Sequence, residues 1–163
     1  MDVLAAQVGE LLKSHGLTLA TAESCTGGGV AQAITEVAGS SAWFERGFVT
    51  YSNLAKQQML GVSEATLKQH GAVSEAAVRE MVAGALQHSA AQVALAVSGI
   101  AGPDGGTADK PVGTVWFAWG IKQGNIHAQR HQLQGSRTEV RVQSVCIALQ
   151  GVVNLLNQMT RTA

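Results

Sequence analysis

Apolar side chains at Leu4, Val8, Leu11 and Leu12 recur with helical spacing, so the chain opens on an amphipathic helix, with Asp2 as its cap and Gly16 as its stop. Residues 17–23 read as a short strand. Ser24-Cys25-Thr26-Gly27-Gly28-Gly29 follows, and then Val30, Ala33, Ile34 and Val37 again at helical spacing, which makes a strand, a tight glycine turn and a helix. A second strand is predicted over 44–51. Ser52 caps a helix over 53–60 that Gly61 ends, 63–70 form a short helix, and Ser74 caps a longer one carrying Val78, Met81, Val82 and Ala85.

The run Val93-Ala94-Leu95-Ala96-Val97 has no polar alternation, the mark of a strand covered on both faces. The loop over 99–111 holds four glycines, both prolines and two aspartates. Residues 112–119 form a further strand apolar on both faces, and 126–133 a more polar one at a sheet edge. In the last helix Ser136 and Glu139 form a capping box, and Val142, Val145, Cys146, Leu149, Val152, Val153 and Leu156 make one apolar stripe. Helices alternating with about five strands predict an α/β fold, a three-layer α/β/α sandwich around a mixed sheet.

Composition narrows the function classes. The 163 residues suit one domain, and a chain of this size buries roughly 70% of its unfolded surface without a staple. Lys plus Arg and Asp plus Glu number 11 each, so there is no basic excess to neutralise nucleic-acid phosphates. Charged residues are only 13%, about half the usual share, while 46% are hydrophobic, which excludes disorder. No basic start with a continuous apolar run marks a secretion signal, and no stretch approaches the ~18 apolar residues of a membrane span. Cys25 and Cys146 match no metal or redox spacing and read as reduced thiols, so a cytoplasmic protein is expected. Low charge with apolar strands points to a homodimer or higher homo-oligomer.

Candidate chemistry gathers at the strand ends. Ser24 stands where the first strand meets a glycine turn, at the carboxyl edge where α/β proteins bind ligands. Amides at Thr26, Gly27 and Gly28, with the positive helix end, suit an oxyanion or a phosphate. A helix-capping role for Ser24 is, from position alone, the commoner one. Lys56, in the first turn of the helix that Ser52 caps, is a possible base, because the dipole there disfavours a cation. Tyr51, the single tyrosine, could relay its proton or orient it; spacing alone does not overturn the commoner roles, a solvated surface lysine for Lys56 and an amphipathic edge residue for Tyr51. The loop of Gly99, Gly102, Gly105 and Gly106 matches neither a phosphate-binding P-loop nor a dinucleotide fingerprint; Gly99 and Gly102 are candidate substrate-binding positions, with a plain turn at least as common a reading. Arg137 and Arg141, one turn apart at the start of the last helix, make either a phosphate clamp or a solvated face. His127 and His131 lie on a strand with no acidic or cysteine partner nearby, a poor zinc pattern, and Cys25 reads as a small buried thiol.

Several of these segments together resemble one family. Ala22-Glu23-Ser24-Cys25-Thr26-Gly27-Gly28, Gly47-Phe48-Val49-Thr50-Tyr51-Ser52-Asn53 with Lys56, His70-Gly71-Ala72-Val73-Ser74, Ser98-Gly99-Ile100-Ala101-Gly102-Pro103-Asp104-Gly105-Gly106 and Lys110-Pro111-Val112-Gly113-Thr114-Val115 are similar, in order, to the motifs of the CinA C-terminal family. The resemblance spans about residues 5–160 and implies a stand-alone form of that domain. It further implies hydrolysis of the carboxamide of nicotinamide mononucleotide to nicotinate mononucleotide and ammonia, with no cofactor and no metal. The family's serine nucleophile, tyrosine and lysine fall on Ser24, Tyr51 and Lys56. A non-catalytic nucleotide-binding module and a serine–lysine amidase of other specificity are the alternatives.

Overall fold

The apolar run at the chain's midpoint becomes β3 (Val93–Gly99), the central strand of a five-stranded sheet. A computed structural model describes the backbone of residues 1–162 and the side chains of residues 1–161. In chain order the remaining elements are α1 (Asp2–His15), β1 (Leu19–Glu23), α2 (Gly29–Thr35), a 3-10 turn (Ser40–Ala42), β2 (Phe44–Val49), α3 (Asn53–Leu60), α4 (Glu64–His70) and α5 (Glu75–Gln87). β4 (Thr114–Ile121), β5 (Ile126–Gln132) and α6 (Arg137–Thr162) follow β3. The sheet order is β2-β1-β3-β4-β5, with β1 parallel to both β2 and β3 and with β4 and β5 antiparallel, a mixed sheet as expected.

Helices cover both faces, giving the three-layer α/β/α sandwich. On one face Leu12 of α1, Ile34 of α2 and Leu149 of α6 pack with Leu95 and Phe117 of the sheet. On the other, Leu60, Leu67, Val78 and Met81 pack over the small side chains Ala20, Ala22, Ala94 and Ala96. Alternate residues of β3 therefore serve opposite cores, which is why its sequence shows no polar alternation. Each large apolar side chain buried this way stabilises the fold by roughly 1.5–3 kcal/mol. No helix among the described residues is long and apolar enough to cross a membrane.

The end signals act mostly as the sequence predicts. Ser52 Oγ accepts the Ala55 amide and Ser74 Oγ the Ala77 amide, while Ser136 and Glu139 exchange two hydrogen bonds of 3.2 Å across the start of α6. Gly16 and Gly61 end their helices in the left-handed conformation. Asp2 does not cap α1: the helix begins at Asp2 itself, after Met1, and its carboxylate contributes only to the first turn's charge. Strand limits also move. Leu17 closes the end of α1, donating to Leu12, so β1 starts at Leu19; Gly113 turns with positive φ, so β4 starts at Thr114.

Register decides what comes next. Glu23 pairs with Val49 of β2 and with Val97 of β3, so β1 and β2 end level while β3 runs on to Gly99. Ser24, Thr50 and Ser98 each stand one position after that register line, towards the carboxyl edge of the sheet, with Ser98 still paired to Trp116 of β4.

Candidate active site

Ser24 sits directly after β1, its amide donating to Val97 O at 3.0 Å and its carbonyl accepting from the Gly27 amide at 3.0 Å. The chain reverses here because Gly27 and Gly28 adopt φ of 59° and 101°, conformations that residues with a Cβ avoid. This answers whether Ser24 is a helix cap. α2 begins at Gly29 after Gly28, with no side-chain cap from Ser24, and Ser24 Oγ instead accepts a hydrogen bond of 2.9 Å from Lys56 Nζ.

Lys56 is buried, 1% exposed, and its other two partners are the carbonyls of Thr50 at 2.8 Å and Tyr51 at 3.3 Å. Three donors on the ammonium thus meet three neutral acceptors. When the amine is neutral, the two carbonyls hold its two remaining hydrogens and leave its lone pair toward Ser24. Burial lowers the Lys56 pKa to about 8, with the Cys25 side chain acting weakly in the opposite sense. The physical cause therefore differs from the one the sequence suggested, which was the helix dipole. The neighbouring Cys25 thiol is pushed up to about 11, mainly by burial, and stays protonated at neutral pH.

A cavity of about 310 Å³ opens in front of this pair, at the small end of ligand-site volumes. Ser24, Tyr51, Lys56, Gly99, Gly102 and Arg137 all line it, so the structure brings these six expected residues together. Tyr51 is largely exposed, and its phenol oxygen accepts from Arg137 Nη2 at 3.2 Å rather than meeting Lys56; its link to the lysine runs through its main-chain carbonyl. Arg137 Nη1 donates to Gly102 O at 2.8 Å, so this guanidinium ties the loop after β3 to Tyr51.

Four expected residues lie elsewhere. Arg141 Nε and Nη2 donate to the carbonyls of Cys25 and Thr26 at 3.1 and 3.3 Å, bracing the turn from behind, beside a separate hollow shared with Gln32 and Glu36. Thr26, Gly27 and Gly28 do not line the cavity. Nor are their amides equally free, since that of Gly27 already bonds to Ser24 O.

Two residues escaped the sequence reading. Ser98, 1% exposed near the end of β3, lines the cavity. Its signal was positional, the last polar residue of a buried strand. Glu23, completely buried, accepts hydrogen bonds from Thr26 Oγ1 at 2.6 Å and from the amides of Val30 and Ala31 at 2.8 and 3.1 Å. The start of α2, expected to be open to an anion, is thus filled by a carboxylate of the protein itself. Among the described residues no group of three His, Cys, Asp or Glu side chains converges as a metal site would require.

A buried lysine thus donates to a serine hydroxyl at the rim of a mixed α/β sheet, beside a cavity that Arg137 also lines. Residues 1–156 match the family model of the CinA C-terminal domain, and the chain belongs to that family. It is 60% identical over 147 residues to the nicotinamide-nucleotide amidohydrolase PncC of Escherichia coli strain K12, covering 90% of this chain and 89% of that one. With the protein of the same name from Pseudomonas putida it shares 54% identity over 155 residues, 95% of this chain and 96% of the relative. Among solved structures, the competence/damage inducible protein CihA from Agrobacterium tumefaciens superposes with a TM-score of 0.92 at 47% identity, covering 96% of this chain and 94% of that one.

Proposed function

We propose that this chain is a nicotinamide-nucleotide amidohydrolase that converts nicotinamide mononucleotide to nicotinate mononucleotide and ammonia, recycling pyridine nucleotide. The observation that carries this reading is the 2.9 Å contact between Lys56 Nζ and Ser24 Oγ inside a cavity that also holds Arg137. The relatives' name, nicotinamide-nucleotide amidohydrolase, supports the choice of substrate.

Neutral Lys56 takes the proton of Ser24 as Oγ attacks the carboxamide carbon, and a tetrahedral oxyanion forms. The amide of Cys25, which lines the cavity and donates to no carbonyl among the described residues, is the oxyanion donor in this reading. Lys56 returns the proton to the amide nitrogen, the C–N bond breaks and ammonia leaves. Water then attacks the acyl ester, passing a proton to Lys56, and Ser24 departs with that proton to release nicotinate mononucleotide. The cationic pyridinium makes the carbonyl more electrophilic throughout. Tyr51 serves here through its carbonyl, which orients Lys56, and through its phenol, which braces Arg137.

Arg137 is the phosphate-binding residue in this scheme, because it faces the cavity while Arg141 is engaged with the turn. Two free thiols accord with action in the reducing cytoplasm, and we retain a homo-oligomer as the working assembly. The test is to incubate the purified protein with nicotinamide mononucleotide and follow ammonia and nicotinate mononucleotide. Equal amounts of both, absent in Ser24→Ala, are the expected result; binding without turnover at any pH from 6 to 10 would sink it in favour of a binding module.

A further inference from the structure

The serine–lysine chemistry leaves Glu23 without a task, although it is the residue directly before Ser24 and is completely buried. A carboxylate so placed is destabilising unless its oxygens are satisfied. Here all three of its side-chain hydrogen bonds go to the segment that follows Ser24: Thr26 Oγ1, Val30 N and Ala31 N. None goes to Lys56. Its main chain points the other way, since Glu23 O accepts the Thr50 amide at 2.8 Å, and Thr50 O in turn accepts from Lys56 Nζ at 2.8 Å. One residue therefore references both members of the pair, the lysine through its backbone and the serine turn through its carboxylate.

We propose that Glu23 is the positioning residue of this site, its carboxylate fixing the Ser24–Gly28 turn so that Ser24 Oγ rests on Lys56 Nζ. The inference rests on the reading of Ser24 as nucleophile. The backbone link to Thr50 survives any substitution at Glu23, so loss of the carboxylate loosens the serine while Lys56 keeps its carbonyl partners. A misplacement of about 1 Å at a reacting group costs on the order of 100-fold in rate.

The experiment compares Glu23→Gln, Thr26→Val and Thr26→Ser with the unsubstituted chain. Two rates are read: turnover of nicotinamide mononucleotide against pH, and covalent labelling of Ser24 by a fluorophosphonate, located by peptide mass. Glu23→Gln keeps the shape but sets an NH2 group against the α2 amides. It is expected to lower kcat and the labelling rate by about 10- to 100-fold, with KM within about twofold and the pH of half-maximal activity unchanged. Thr26→Val is expected to follow in the same direction and Thr26→Ser to restore the rate. Should Glu23→Gln not fold, the Thr26 pair decides alone. Unchanged rates, a rise in KM with kcat preserved, or a displaced pH limb showing that Glu23 acts on Lys56 by charge would each overturn the proposal. The two rates separate the claims: an unsubstituted chain labelled at Ser24 but inert toward nicotinamide mononucleotide refutes the substrate, and slower labelling of Glu23→Gln still supports the positioning role.

Discussion

Lys56 Nζ and Ser24 Oγ are 32 positions apart in sequence and 2.9 Å apart in the folded chain, the lysine buried and held by two carbonyls. Among the described residues no carboxylate is bonded to the ammonium, so its charge has no ion-pair partner. Burial is the main influence on its proton affinity, with Cys25 acting the other way, and that affinity fits a base that must both take and return a proton.

The pH dependence follows. With the pKa lowered to about 8, only about a tenth of the molecules carry neutral Lys56 at pH 7, and the neutral form dominates above pH 9. Amidase activity is expected to rise through a limb centred near pH 8 and then level off. The folded pKa lies below the unfolded 10.5, so between these values the unfolded chain binds the extra proton and this group adds stability as pH rises. In Lys56→Met the rate should fall by about 10²- to 10⁴-fold and that pH-dependent gain in stability should vanish, as a pH–rate profile and melting curves at pH 8 and 10 would record.

The two arginines should separate cleanly. Arg137→Ala removes a cavity guanidinium and is expected to raise KM by roughly 10- to 100-fold, the loss of a hydrogen-bonded charge contact. Arg137→Lys should not restore it, since a point charge cannot hold Gly102 O and Tyr51 Oη at once. Arg141→Ala frees the carbonyls of Cys25 and Thr26, so its effect should appear in kcat and in the melting temperature instead. Steady-state kinetics on the three variants checks this.

The turn itself depends on a conformation rather than a side chain. Gly28 has φ 101° and ψ 1°, and a Cβ there would meet only Val49 Cγ2 at 3.6 Å. Gly28→Ala is therefore a test of backbone strain with no clash. A cost of about 1–3 kcal/mol is expected, seen as a lowered denaturation midpoint together with lost activity.

How far the sequence carried differs by type of signal. Periodicity and caps placed every helix and strand, because Ser52, Ser74 and the Ser136–Glu139 pair act on amides within their own helices. Ser24 was visible as a candidate, but whether it capped a helix or met a base depended on contacts with a distant segment. Arg137 and Arg141 looked equivalent, yet one turn advances about 5.4 Å along the axis, enough to put the first over the cavity and the second beneath the turn. Glu23 was hidden for another reason: a glutamate at a strand end reads as solvated, and only the folded turn supplies three donors that make its burial tolerable. Ser98 likewise gained meaning only when the register set Val97 beside Glu23.

The central claim is that Ser24 becomes acylated with Lys56 as its base, and it can be read directly by mass. The protein is mixed with nicotinamide mononucleotide, quenched in acid within the first turnovers and digested, and the peptide containing Ser24 is weighed. An adduct on Ser24 equal to the substrate less ammonia, formed faster at pH 8.5 than at pH 7 and missing in Lys56→Met, is the predicted result. Full release of ammonia with no adduct on Ser24 at any quench time, or equal turnover by Ser24→Ala, would contradict the account and require water to attack the amide without a protein nucleophile.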